Sequence, residues 1–113
     1  MSSLTKEAIA QTVDLFSGLG DITTRRMMGG LCLYHNDVIF AMRHGDGTVR
    51  IKGAGDFIAE LEAAGCTQWT YVREGKDGKP GKAGTMPYWS LPEEALDDPD
   101  LAVDWARRAL AHL

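Results

Sequence analysis

Residues 24–42 read TRRMMGGLCLYHNDVIFAM, and the order of features in that stretch decides the fold. Two apolar runs, Leu31 to Tyr34 and Val38 to Met42, flank His35, Asn36 and Asp37, a composition that predicts a β-hairpin. Both runs are apolar on alternate positions as well as on successive ones. Such strands belong in the middle of a sheet, covered by helices on one face and by further structure or a partner on the other. Ahead of the hairpin, Ile22 to Met28 predicts a short strand that carries Arg25 and Arg26. Gly29 and Gly30 join the two and permit a bulge, a tight bend or a close backbone approach.

Working outward, Ala8, Ile9, Thr12, Val13 and Phe16 recur at three-and-four spacing and predict a helix over Ser3 to Ser17, capped by Ser2 or Ser3 and ended by Gly18 or Gly20. Arg43 to Gly47 turns the chain, and Thr48 to Lys52 alternates as a strand. A second helix is expected over Asp56 to Ala64, with Gly65 at its C-terminal cap. Gln68 to Arg73 and Thr85 to Ser90 read as strands joined by a surface loop, Glu74 to Gly84. Asp98 and Pro99 open the last helix, whose buried stripe is expected to be Leu101, Ala102, Trp105, Ala106, Ala109 and Leu110. Helices set apart from hairpin-linked strands predict an α+β fold: a two-layer antiparallel sheet with flanking helices, in the order α-β-β-β-β-α-β-β-α. A chain of 113 residues forms one domain, 1–113.

Composition excludes several roles. No apolar run reaches the roughly 20 residues that span a bilayer, so no membrane association is expected. Cys32 and Cys66 form no CxxC pair and no apolar leader opens the chain, which fits a reducing cytoplasm. The formal charge of −4 argues against strong direct nucleic-acid binding, leaving the loop cations Arg73, Lys76, Lys79 and Lys82 as its one credible contact.

No catalytic constellation emerges. Gly75 to Lys82 has one residue too many for a phosphate loop and Ala83 where Ser or Thr belongs. His35, His44 and His112 have no helical partner ligands, so no metal site is expected. Cys32 reads as a buried thiol, and Trp69, Trp89 and Trp105 as core contacts without interleaved basic residues. Arg25 and Arg26 must point to opposite faces of their strand. Arg26 is expected inward against a buried carboxylate and Arg25 outward.

Phe16, Gly20, Arg26, Met27, Gly29, Gly30, Tyr34, Phe40, Lys52 and Phe57, then Tyr88, Leu91, Pro92, Glu93 and Glu94 in a Y-x-x-L-P-E-E element, then Trp105 and Ala106, carry a resemblance to the TfoX N-terminal domain family over nearly the whole chain. Met28 departs from it, standing where the family often has Phe. The resemblance implies a secretion-chaperone-like arrangement and a link to transcriptional control of competence. Two-domain relatives carry a C-terminal helical domain suited to nucleic-acid work, whereas this chain ends at Leu113. The expected role is a non-enzymatic regulatory module, a homodimer that binds a protein partner such as the transcription machinery and needs no cofactor. The alternative is an anionic-ligand binder or enzyme in which Arg26 and the Gly29–Gly30 corner act beside Tyr34 or Tyr88, with Arg25 as a further candidate.

Overall fold

In the computed structural model, which describes residues 5–27, 29–74 and 80–113, helix α1 (Lys6–Leu15) leads through a single 3-10 turn (Ser17–Leu19) into four consecutive strands: β1 (Thr23–Met27), β2 (Gly30–His35), β3 (Val38–His44) and β4 (Val49–Lys52). Helix α2 (Phe57–Ala63) precedes β5 (Gln68–Glu74) and β6 (Pro80–Ser90), and the short α3 (Glu93–Leu96) and α4 (Pro99–Leu110) close the chain. All six strands join one antiparallel sheet in the order β1-β2-β3-β4-β6-β5. The α+β architecture matches the expectation, with α3 as an addition. Its Pro92, Glu93 and Glu94 show no helical periodicity over so short a span.

Local chemistry explains most boundaries. Thr5, not Ser2 or Ser3, caps α1, its hydroxyl accepting the Ala8 N–H at 3.1 Å; Ser2 and Ser3 lie outside the described residues. Asn36 and Asp37 both have positive φ, 50° and 65°, which is the two-residue hairpin turn whose twist matches its strands. Asp98 accepts the N–H groups of Asp100 and Leu101, and Pro99 supplies the first residue of α4.

The Glu74 to Gly84 loop is a correction. Part of it, residues 75–79, lies outside the described residues, but β6 already begins at Pro80. Val72 pairs with Ala83 and Tyr71 with Gly84. A side chain at Gly84 would meet the Tyr71 ring at 2.5 Å, so glycine here makes room for an aromatic rather than marking a loop.

The helix-side core contains Phe16, Leu31, Leu33, Phe40, Ile51, Phe57, Leu61 and Trp89, with Ala102, Ala106 and Ala109 of α4 packed over it. Within β3 the pairing shifts beside Leu33, so that Phe40 and Ala41, neighbours in the chain, both enter this core. An extra residue of this kind re-aims the side chains that follow it, and Phe40 uses the position to meet Phe16 edge-on at 5.3 Å. The stripe of α4 is shifted from the expected one. Leu101 is 38% exposed while Val103 is buried, because Val103 sits against Gly18, where a Cβ would meet it at 3.0 Å.

On the second face of the sheet the buried cluster draws, among the described residues, on strands alone, yet Cys32 and Met42 are fully buried there beside Tyr88. Tyr34, Ile39, Trp69 and Met86 pack around them. The sheet achieves this by curling. Trp69 lies on the edge strand β5, three strand spacings from His44, roughly 14 Å in a flat sheet; their rings are 4.4 Å apart.

The diglycine splits into two constraints. Gly29 has φ +71° and no neighbour within 4 Å of a Cβ, whereas a Cβ on Gly30 would lie 2.8 Å from the Arg43 carbonyl. Gly29→Ala therefore costs about 1 kcal/mol through backbone strain, and Gly30→Ala about 2 kcal/mol, because β2 and β3 must move apart. Urea melts of the two variants check both the order and the sizes.

Candidate functional site

β1 is the terminal strand of the sheet, with β2 as its neighbour on one side. Arg25 pairs with Cys32 and Arg26 with Leu31, so the two guanidinium groups leave on opposite faces: Arg25 on the concave face, Arg26 on the helix side. Opposite directions were expected, but a buried Arg26 was not found. Both arginines are exposed. A terminal strand has a neighbour on one flank alone, and the helix layer packs on the centre of the sheet, α4 against β3 and β4.

The register across the concave face forms one rung: Arg25, Cys32, Met42 and Arg50 on β1, β2, β3 and β4. An apolar pair thus has an arginine at each end. Arg25 lies over the ring of Tyr34, 5.8 Å from its centre, and Arg50 over Trp69 at 5.7 Å. Trp69 also meets Tyr88 edge-on at 6.4 Å. Aromatic faces attract such cations, more so where water is partly excluded. Basic residues therefore do stand beside the tryptophans, including Arg108 at 3.9 Å from the Trp105 ring centre. Sequence spacing could not show this for Trp69, since Arg50 comes from a strand two places away.

Burial sets the electrostatics. The Cys32 thiol is pushed up by desolvation, which keeps it protonated and unreactive. His44 is held below its ordinary value, first by desolvation and then by Arg50. Its Nε2 and the Nε of Arg50 are enclosed without a hydrogen-bond partner among the described residues. Asp46, accepting the Thr48 N–H at 2.9 Å, is held below the usual carboxylate range by that bond and lies near both His44 and Arg50.

The predicted site residues do not form one pocket. Arg25, Tyr34 and Tyr88 share the concave face; Arg26 does not, and Gly29 and Gly30 serve the backbone as described above. A cleft of about 460 Å³ lies elsewhere, between α1, the β3–β4 turn and the α3–α4 junction, lined by Thr12, Asp14, Arg43, Val49, Leu96 and Asp97 among others. None of the six predicted residues lines it. Arg43 was missed because its neighbour Leu31 marks a core-facing position, and nothing local signals a cleft. Among the described residues no group of three His, Cys, Asp or Glu is placed to hold a metal, and no helix is long and apolar enough to cross a membrane. Lys76 and Lys79 lie outside the described residues.

Compared with known proteins, residues 14–113 match the family model described as the TfoX N-terminal domain. Among curated proteins none matches the chain.

Because both arginines are exposed, Arg25→Ala and Arg26→Ala each cost under about 1 kcal/mol, measured by urea melts. Tyr88 gives a second test. Desolvation, followed by the neighbouring Cys32 and Tyr34, pushes its phenol up to about 12 from an ordinary 10. The folded state then holds this proton more tightly than the unfolded state, so stability falls as pH rises from 10 through about 12. Absorbance titration shows a tyrosine step near 12 that Tyr88→Phe removes, and that variant loses less stability over the same window.

Proposed function

The chain belongs to the TfoX N-terminal domain family, and from that premise we propose that it is a non-enzymatic regulatory module that binds a protein partner through the β1 side of its sheet. The observation that carries the reading is the exposure of Arg25 and Arg26 together on a terminal strand. Exposed arginines beside Met27, itself 42% exposed, suit an interface, where Arg and Met are enriched.

The same reading places the protein in transcriptional regulation, as its family suggests, without direct duplex contacts of its own. Acidic groups occupy the exposed surface of the helix layer, at Glu60, Glu62, Glu93, Glu94, Asp100 and Asp104, and would repel phosphates. The anion-binding alternative has less support, because Arg26 and the two tyrosines lie on different faces. A homodimer was expected from an uncovered apolar face. Trp69, Met86 and Tyr88 of the curled β5 and β6 pack on that face and leave less of it to a second copy.

A photo-crosslinking residue at Thr24 tests the reading in cells, with the same residue at Glu62 on α2 as the comparison. Discrete protein adducts are expected from position 24, lost when Arg25 and Arg26 are both alanine and absent from position 62. An adduct of twice the 12.3 kDa chain mass identifies a second copy. No arginine-dependent adduct at position 24 overturns the proposal.

A further inference from the structure

We infer that β1 accepts an extended acidic segment of a partner protein as an added seventh strand, a reading that rests on the proposed interaction role and names its mode and chemistry. A terminal strand presents backbone N–H and C=O groups on its outer flank, the template on which extended peptides add to sheets. Of β1's five residues, four are exposed, and Thr24 is half-buried.

Side chains then select the occupant. In an added strand, neighbouring residues point to opposite faces, as Arg25 and Arg26 do. Two adjacent carboxylates in the incoming strand would therefore meet both guanidinium groups at once, whether the strand runs parallel or antiparallel to β1. Opposite charges directly across a ladder stabilise it, and like charges oppose it. The surroundings strengthen the preference. Next to Arg26 and Leu31 in the register stands Arg43, so a third guanidinium belongs to this end of the sheet. Asp21 and Asp37 lie beyond the other end of the β1–β2 ladder, past the Thr23–Tyr34 pair.

A second copy fits less well. Pairing β1 with itself about a two-fold axis within the arginine pair sets guanidinium against guanidinium. Met27, on the same face as Arg25, adds a preference for a β-branched residue next to the acidic pair.

The test uses the full chain and a short Thr/Val peptide carrying two adjacent glutamates, with a lysine-for-glutamate peptide and an alternately N-methylated peptide as comparisons. At low salt the acidic peptide is expected to bind about ten-fold more tightly than the lysine peptide, the size produced when two cross-strand charge pairs change from opposite to like. Amide NMR shifts concentrate on Thr23 to Met27 and their β2 partners. N-methylation removes binding, since the ladder is lost, and the double variant Arg25→Glu/Arg26→Glu, shown to be folded by its amide NMR spectrum, reverses the charge preference. Equal binding of both peptides, no binding at millimolar concentration, or shifts confined to the concave face overturns the inference. So does an oligonucleotide that displaces the acidic peptide from β1, which would assign the edge to polyanions. Arginine-dependent crosslinks at Thr24 without peptide selectivity would leave the interaction role standing and remove strand addition alone.

Discussion

The edge contact between the rings of Trp69 and His44 records the constraint on which this fold depends: one sheet, apolar on both faces, with a single layer of helices to cover it. Helices α1, α2 and α4 occupy one face. The other face must be withdrawn from water by the sheet itself, and strand twist supplies the means, since a right-handed twist accumulated over several strands coils an open sheet. β5 is carried over the concave side, and Cys32 and Met42 become as buried as any residue beneath the helices.

This arrangement distributes polarity as well as burial. Arg50 and His44 are caught under the curl, with Nε of one and Nε2 of the other enclosed and lacking a partner among the described residues. Desolvation lowers both, and their mutual repulsion lowers His44 further. Arg25, at the far end of the same rung, escapes because β1 is the edge that does not fold over. Equivalent residue types on one face thus have different fates, set by which edge of the sheet curls. Across the molecule, Arg108 illustrates the ordinary helix-layer use of the residue: it bridges Glu60 of α2 and Asp104 of its own helix at 3.3 and 3.0 Å and covers Trp105.

Glycine does much of the fitting between layers. Gly30 lets β2 meet β3, Gly18 receives Val103 of α4, and Gly53 leaves space that the Trp89 ring and Leu61 would otherwise contest at 2.7 and 2.9 Å. Small residues along α4 act in the same sense, since Ala102, Ala106 and Ala109 allow close approach of the helix. The result is a thin domain in which backbones come near one another and the large side chains, Phe16, Phe40 and Phe57, fill the remaining volume.

Sequence alone determined the elements whose causes are local. The Asn36–Asp37 turn, the Asp98–Pro99 helix start and the continuous apolar runs that made β2 and β3 central strands all depend on neighbours within a few residues, and each stands close to where it was expected. So does family membership, which rests on anchors spread along the chain. What only the tertiary structure decided are properties of register and edge. The start of β6 at Pro80 needed Tyr71 over Gly84, and the α4 stripe needed Gly18 opposite Val103. The direction of Arg25 relative to Arg26 was legible from strand alternation, but their shared exposure was not. Periodicity says which residues share a face; whether anything lies beyond that face depends on strand order, and strand order is written in contacts between residues far apart in the chain.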